Sequence, residues 1–155
     1  MPRLDLDSIP QTNRTGYPPP FDQPMQGRWY RRLAPASGLT ELGASHVVLK
    51  PGAWSSQRHW HDDEDELLVM IAGEAVLVED EGRTVLRPGD ISAWPKGVTN
   101  GHHLVNESDA DCVFVCISGG DPDGSGGYSD IDMMFSGDGY FRKDGRPYGE
   151  SGRIP

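Results

Sequence analysis

The sequence predicts an all-β protein, a single-domain sandwich or barrel built from short strands. Hydrophobic residues make up only 35% of the 155 residues, while 20 Gly and 13 Pro supply many tight turns. From Leu42 onward, about eight short apolar runs follow one another, each bounded by Gly, Pro, Asn or Asp. Strands this short and this regularly spaced are typical of a sandwich or a barrel.

The strands can be placed in order along the chain. Alternating large and charged residues predict a half-buried edge strand over residues 28–33. The remaining strands are expected near residues 45–50, 59–61, 67–72, 74–79, 84–86, 90–94, 102–105 and 112–117. No internal repeat and no heptad pattern is present, so neither a solenoid nor a coiled coil is expected.

The chain divides into an arm, a barrel and a tail. Residues 1–38 are rich in Pro, Asn and Asp, which predicts an irregular N-terminal arm. The barrel is expected over residues 39–118. Residues 119–155 form a C-terminal tail that begins with glycine and ends polar. Its aromatic and Met residues predict that it packs on the barrel or on a partner subunit.

Charge and hydropathy exclude several classes of protein. The formal net charge of -10 disfavours binding to nucleic acid or to anionic membranes, because both attract mainly Lys and Arg. No apolar stretch approaches the roughly 20 residues that a membrane-spanning helix needs, and residues 1–7 lack the apolar core of a signal peptide. A cytoplasmic location is therefore expected. A homodimer is also expected, because Trp29, Tyr30, Phe135 and Tyr140 would otherwise expose apolar surface.

One half of a metal site is visible around a His-x-His pair. Side chains alternate along a strand, so His59 and His61 share one face while Trp60 occupies the other. Residues 62–65 are expected to form an acidic turn, after which Glu66 opens the next strand and can fold back toward the two imidazoles. Two His and one carboxylate suit a divalent transition metal. Two exposed His beside a solvated turn, without any metal, are the alternative.

The second half of the chain supplies a further motif, and together the two resemble the cupin superfamily. The first cupin motif consists of a Gly, His-x-His, a Glu and a closing Gly. The second consists of Gly, Pro-x-Gly, His and Asn. In this sequence the matching residues are Gly52, His59, His61, Glu66 and Gly73 for the first motif, and Gly89, Pro95, Gly97, His102 and Asn106 for the second.

The match departs from the family pattern at two places. Six residues separate Gly52 from His59, where the family usually has five. Four residues separate Gly97 from His102, where the family usually has two, so Asn100 stands at the position of a strictly spaced ligand. The last ligand is therefore His102, His103, or absent. His102 is preferred because it keeps the spacing to Asn106, and His103 would then point outward.

The resemblance implies a double-stranded β-helix, or jelly-roll barrel, that is frequently dimeric and holds a metal at its mouth. The implied ligands are His59, His61, Glu66 and His102, around a divalent ion such as Fe, Mn, Ni or Zn. The overall layout resembles small single-domain cupins that have been likened to sugar-phosphate isomerases. The expected function is that of a metal-binding cupin acting on a small polar metabolite, sugar-like or carboxylate, as an isomerase, lyase or dioxygenase.

Two alternatives to this function stay open. One is a non-catalytic cupin that binds or senses a small molecule, since no acid or base outside the ligand set can be identified as catalytic and fold does not fix function. The other is a barrel that has kept these residues but binds a sugar without metal.

Several other polar and aromatic residues have simpler expected roles. Gln57 shares the face of His59 by alternation and could contact a ligand, or it could be ordinary polar lining. Trp94 and Met70 are expected in the core. The remaining candidates are His46, expected on the surface or lining the barrel; residues 62–65 and 79–81, expected as solvated turns; and Tyr128, Asp130 and Asp132, expected in tail packing or as a lid.

Overall fold

A computed structural model describes residues 3–149, and antiparallel strands form most of this range. One α-helix is present, α1 (Leu33–Ala36), and it is far too short to cross a membrane, as is each of the two 3-10 turns in the described range. The strands are β1 (Arg28–Arg32), β2 (Gly43–Leu49), β3 (His59–His61), β4 (Glu64–Ala72), β5 (Ala75–Glu79), β6 (Gly82–Leu86), β7 (Ile91–Trp94), β8 (His103–Val105), β9 (Cys112–Gly120), β10 (Gly126–Tyr128), β11 (Met134–Ser136) and β12 (Gly139–Phe141). The all-β prediction is confirmed.

The strands form three sheets. A five-stranded sheet has the order β1-β2-β9-β4-β7, a three-stranded sheet the order β6-β5-β8, and a four-stranded sheet the order β12-β11-β10-β3. In the five-stranded sheet, Glu66 lies opposite both Trp94 and Ser118. Strand alternation then turns Leu68 and Met70 inward, where they are buried, and leaves Leu67 exposed on the outer face.

The main hydrophobic core lies between the five-stranded and three-stranded sheets. Leu49, Met70 and Phe114 enter it from one sheet, and Leu77 and Leu104 enter it from the other; none is more than 5% exposed. Met70 therefore packs in the core, as the sequence predicts. Truncating a side chain buried this completely to Ala costs about 2 to 5 kcal/mol of stability, so this core is the rigid base on which the site is built.

A second hydrophobic cluster joins the arm to the tail. Tyr17 and Met25 from the arm pack against Tyr128 and Met133 from the tail, and all four are buried. Both segments also contribute strands: β1 pairs with β2, and β10 pairs with β3. The tail consequently packs against its own barrel, through the strand that carries His59 and His61.

Two glycines allow the tail to lie this close to β3. Gly126 and Gly127 are opposite His61 and Trp60 in the β10–β3 pair. A Cβ atom at Gly126 would collide with the Trp60 carbonyl oxygen and the Phe135 ring, and one at Gly127 would collide with the Trp60 ring. The glycine-rich start of the tail is therefore a packing requirement.

Candidate metal centre

The backbone brings the two histidine motifs together directly. His59 in β3 and His102, the residue before β8, form an isolated antiparallel bridge with N–H to carbonyl distances of 3.2 and 2.9 Å. Residues paired in this way present their side chains on the same face. His102 therefore lies beside His59, although the two residues are 43 positions apart in the chain.

Glu66 reaches the same place from β4. The structure corrects the expected start of this strand: β4 begins at Glu64, and the turn before it consists of Asp62 and Asp63 alone. The reason is pairing with the far end of β9, since Glu64 lies opposite Gly120. Alternation along β4 then places Glu64 and Glu66 on one face, both turned toward the histidines.

The four residues predicted as ligands converge. Ligand atoms of His59, His61 and Glu66 all lie within 4.8 Å of one another. The His59 and His61 Nε2 atoms are 3.1 Å apart, and the His102 Nε2 atom is 2.8 Å from Glu66 Oε2. Glu66 Oε1 is 3.5 Å from His61 Nε2. Three imidazole nitrogens thus surround one carboxylate.

The opposite nitrogen of each ring, Nδ1, faces an acceptor. With its proton on Nδ1, a histidine turns the Nε2 lone pair toward the cluster, which is the tautomer that binds a metal through Nε2. The acceptors are the Gln57 carbonyl oxygen at 3.0 Å from His59, Glu64 Oε2 at 3.4 Å from His61, and the Asn100 carbonyl oxygen at 3.4 Å from His102. This donor set fits a divalent transition metal.

The electrostatics of the metal-free cluster favour a neutral His59 and an ionised Glu66, whereas they stabilise the protonated form of His61. Burial lowers the pKa of His59 to about 4, so this ring is neutral at pH 7. Burial opposes ionisation of Glu66, but contact with His102 and His61 outweighs it and holds the Glu66 pKa well below its usual range. Burial likewise lowers the pKa of His61, but the Glu66 carboxylate outweighs this and the net shift is upward. Glu66 is consequently an anion, the form that a metal requires.

Trp94 orients His102. Its ring stacks on the His102 ring with a centroid distance of 3.8 Å and a tilt of 4°. The Trp94 indole N–H donates to Glu79 Oε1 at 2.7 Å, and the Asn100 amide donates to the same oxygen at 3.3 Å. Trp94 thus packs beside the core, as predicted, and also supports the site. The interpretation of Glu79 as part of a solvated turn is wrong.

The structure distinguishes His102 from its neighbours. The Asn100 side chain donates a hydrogen bond to Glu79 and accepts one from the Asp80 backbone N–H, so it does not enter the cluster. His103 is 6% exposed, and its Nδ1 lies 2.9 Å from the Ser56 carbonyl oxygen. Its ring packs edge-on against Trp54. His103 lies outside the cluster, but the expectation that it points outward is wrong, because the side chain is buried.

Two further expectations about polar residues need correction. Gln57 does not share the face of His59, because it precedes β3 and the strand alternation does not extend to it; its amide donates to the Phe21 carbonyl and anchors the arm. Asp62 and Asp63 are exposed in the turn, as predicted, and each also accepts a hydrogen bond from Ser125 at 2.9 Å; the prediction of a solvated turn is wrong for Glu64, which faces His61. The contacts with Phe21 and Ser125 come from segments far away in sequence.

The remaining candidates take part in packing. Tyr128 lines the cavity, with its ring 5.9 Å from that of His59. Asp130 forms a two-pronged ion pair with Arg58, and the Asp132 carboxylate accepts the Lys143 backbone N–H. His46 is half-buried on β2, between Ser45 and Val47, which line the cavity, so it lies on the outer face.

The cluster forms part of the wall of a cavity of about 750 Å³. The five-stranded sheet contributes apolar lining such as Leu68 and Phe114, and the arm and tail contribute Tyr17, Tyr128 and Tyr140. A cavity of this size with a few convergent polar groups is typical of a small-molecule site.

Comparisons with known proteins agree with this architecture. The Cupin domain family matches residues 45–118. A sugar phosphate isomerase from a cupin superfamily, from Silicibacter pomeroyi, has a solved structure with a TM-score of 0.88 and 41% sequence identity, over 99% of this chain and 100% of that one. No curated protein matches the chain.

Two more distant structures share the fold. A putative sugar phosphate isomerase from Acidithiobacillus ferrooxidans is 22% identical, with a TM-score of 0.67 over 72% of each chain. The polyketide cyclase RemF from Streptomyces resistomycificus is 19% identical, with a TM-score of 0.60 over 77% of this chain and 79% of that one. The predicted jelly-roll barrel is confirmed, and the chain belongs to the cupin superfamily.

Proposed function

We propose that this chain is a metal-dependent enzyme that acts on a small polar metabolite, sugar-like or carboxylate, and that sugar-phosphate isomerisation is its reaction. The observation that carries the proposal is the convergence of three imidazole Nε2 atoms and the Glu66 carboxylate on the wall of a cavity of about 750 Å³. The similarity in fold and sequence to a sugar phosphate isomerase over nearly the whole chain supports the choice of reaction.

His59, His61, Glu66 and His102 would hold a divalent ion, with Fe, Mn, Ni and Zn as candidates. Three neutral imidazoles and one carboxylate leave a net charge of +1 with such an ion and about two open positions on an octahedral metal. When bound, the metal would polarise a substrate carbonyl and so acidify the adjacent C–H bond.

The chain itself supplies the surroundings of the substrate. Leu68 and Phe114 exclude water from one side of the cavity. Burial holds the pKa of Tyr128 well above its usual range, so its hydroxyl keeps its proton at neutral pH. We assign Tyr128 the role of donating a hydrogen bond to a substrate oxygen beside His59.

An isotope-exchange experiment tests the reaction class. Metal-loaded protein would be incubated with a panel of aldose and ketose phosphates in D₂O, and proton NMR would follow deuterium incorporation beside the carbonyl. Isomerisation by proton transfer predicts incorporation together with aldose–ketose interconversion. Protein that carries stoichiometric metal but catalyses neither process with any member of the panel would contradict the assigned reaction.

A non-catalytic binding or sensing cupin is the second candidate. Among the described residues, Glu66 is the only carboxylate that lines the cavity. Glu66 already contacts the three histidines as a proposed metal ligand, so it is not available as a separate base. This lack of a separate carboxylate base favours binding without turnover. The same panel separates the two candidates, because a sensor would show ligand-dependent thermal stabilisation without deuterium incorporation.

We also propose that the chain is a homodimer, joined through the outer face of the five-stranded sheet. Four aromatic residues that the sequence offered as reasons for a dimer are half-buried within their own chain: Trp29, Tyr30, Phe135 and Tyr140. The support comes instead from an apolar stripe of neighbouring residues that point away from the cavity. It consists of Leu67, Ile91 and Ile117, which are 36%, 62% and 36% exposed.

Light scattering tests the dimer. The wild-type protein should have twice the 17.0 kDa mass of one chain at micromolar concentration, and Ile91→Asp should shift it to the mass of one chain, because a charge on this face would have to be desolvated. Val98→Asp, a change at another exposed apolar side chain, should leave the mass unaltered. A wild-type mass of 17.0 kDa would contradict the dimer.

A further inference from the structure

The inner face of β1 places two guanidinium groups against the cavity. Arg28, Tyr30 and Arg32 line it, whereas Trp29 and Arg31 alternate onto the opposite face of the strand. Arg28 is half-buried and Arg32 is exposed. The cavity thus has cationic groups on a wall that none of the predicted metal ligands occupies.

We propose that Arg28 and Arg32 bind an oxyanion of the metabolite, a phosphate or a carboxylate, while the rest of the metabolite faces the metal centre. The inference rests on the proposed function, because it takes the occupant of the cavity to be the substrate. Guanidinium groups match the geometry of both oxyanions through paired N–H donors, so the chemistry of recognition is shared.

The charges of the cavity support an anionic occupant. Most described arginines pair with a carboxylate within 4.0 Å, but no such pair involves Arg28 or Arg32 among residues 3–149. The only carboxylate on the described cavity wall is Glu66, and the three histidines surround it. The chain as a whole carries a net charge of -10, but the described cavity wall carries two arginines and only one carboxylate. A divalent ion at the metal centre would add to its positive charge.

Arg28 is held in place and keeps a free donor. Its Nη1 donates to the Ser55 carbonyl at 2.8 Å, and its Nη2 donates to the Arg14 carbonyl at 3.3 Å. The guanidinium carbon lies 5.2 Å from the centre of the Tyr30 ring. The Nε–H is buried and has no acceptor in the described part of the chain. Because the Nε–H is closed to solvent, an oxyanion in the cavity would be bound by the second N–H groups of Nη1 and Nη2, which the bonds to Ser55 and Arg14 leave free.

The strand register gives the distance between Arg32 and the part of β4 that carries Glu66. Arg32 pairs with Ser45, Ser45 with Cys116, and Cys116 with Leu68, which lies two residues from Glu66. Three strand spacings correspond to about 14 Å along the sheet between the Arg32 and Leu68 backbones. The side chains at both ends line the same cavity. A ligand with an anion at one end and carbonyl or hydroxyl groups at the other fits this arrangement.

Calorimetric titration of the full-length, metal-loaded protein with inorganic phosphate, and separately with acetate, tests the inference. We expect Arg32→Gln to weaken binding of the preferred anion about tenfold and Arg28→Gln/Arg32→Gln to weaken it further. Arg31→Gln is the matched control, since Arg31 lies on the same strand but on the opposite face; binding should change by less than about twofold. Tighter phosphate binding would assign a phosphate monoester, and tighter acetate binding would assign a carboxylate.

Arg32→Gln keeps the test valid even if Arg28→Gln fails to fold, because Arg32 is exposed and makes no side-chain hydrogen bond to the described chain. Equal anion affinity in wild type and Arg32→Gln, or an equal loss in Arg31→Gln, would overturn the proposal. Metal content measured on the same samples separates this outcome from failure of the proposed function. Anion binding that depends on Arg32 in a protein without metal would leave the anion site standing and remove the metal-dependent enzyme.

Discussion

Glu66→Gln should weaken metal binding by about 100-fold or more while the barrel stays folded. The substitution keeps the size of the side chain but removes the only anionic ligand, so the charge of the filled site rises from +1 to +2 in a position where Glu66 is 12% exposed. Removing a residue that only hydrogen-bonds to a metal ligand lowers metal affinity by about 10- to 100-fold. Removing a ligand itself should lower the affinity by at least as much. Competition with a chelator of known affinity measures the change.

Asp65→Asn is the matched control for this substitution. Asp65 is the neighbouring residue on β4, it faces the other way, and its carboxylate accepts the Lys96 backbone N–H outside the cavity. The same loss of one negative charge should therefore leave metal affinity almost unchanged. An equal loss in both variants would mean that the overall charge of the chain, and not ligation by Glu66, governs binding.

Glu66→Gln also changes a proton equilibrium in the metal-free protein. Glu66 raises the pKa of His61 against the effect of burial, so removing its charge should lower that pKa and leave the ring neutral over a wider pH range. Proton NMR of the His61 ring during a pH titration measures the shift. An unchanged or higher pKa for His61 would contradict the placement of the carboxylate beside this ring.

His102→Ala should release most of the metal, whereas His103→Ala should retain it. The His102 Nε2 atom is 2.8 Å from Glu66, and the ring is fixed by stacking on Trp94, so its loss removes one of the proposed ligands. The His103 ring contacts the Ser56 carbonyl oxygen and the Trp54 ring, outside the cluster. We expect an affinity loss of about 100-fold for the first variant and about threefold or less for the second.

The comparison needs metal content per folded subunit, because His103 is buried and its truncation should lower the melting temperature. A loss confined to His103→Ala would move the ligand by one residue. Full metal content in His102→Ala would leave a three-residue site made of His59, His61 and Glu66. His59→Ala and His61→Ala should lower metal content in either case.

Local periodicity was sufficient to predict the first half of the site. The period of two along a strand puts His59 and His61 on one face whatever the rest of the chain does. The choice between His102 and His103 could not be made in this way. It depends on the bridge between His59 and His102, and a pairing across 43 residues leaves no local pattern in the sequence.

The supports of the site were missed for a similar reason. Glu64 and Glu79 stand in acidic segments whose composition is also that of solvated turns. Their roles come from single long-range contacts, with His61 and with Trp94. Charge runs therefore predicted turns without indicating which carboxylates face inward.

The tail was predicted to pack, but its position was not. Its aromatic and Met residues indicated burial, and either the barrel or a partner subunit could have provided it. The pairing of Gly126 with His61 decides in favour of the chain's own barrel and brings Tyr128 beside His59. Likewise, the sequence identified Arg28 only as part of an edge strand, since the cavity that it lines exists only after folding.

The most direct test of the metal centre is anomalous diffraction from crystals of the protein, recorded above and below the absorption edge of the metal found in the purified sample. We predict one anomalous peak per chain, at about 2.0 to 2.3 Å from the Nε2 atoms of His59, His61 and His102 and from a carboxylate oxygen of Glu66. A metal-replete crystal with its anomalous peak elsewhere, or purified protein that binds none of the four candidate metals at this cluster, would contradict the account.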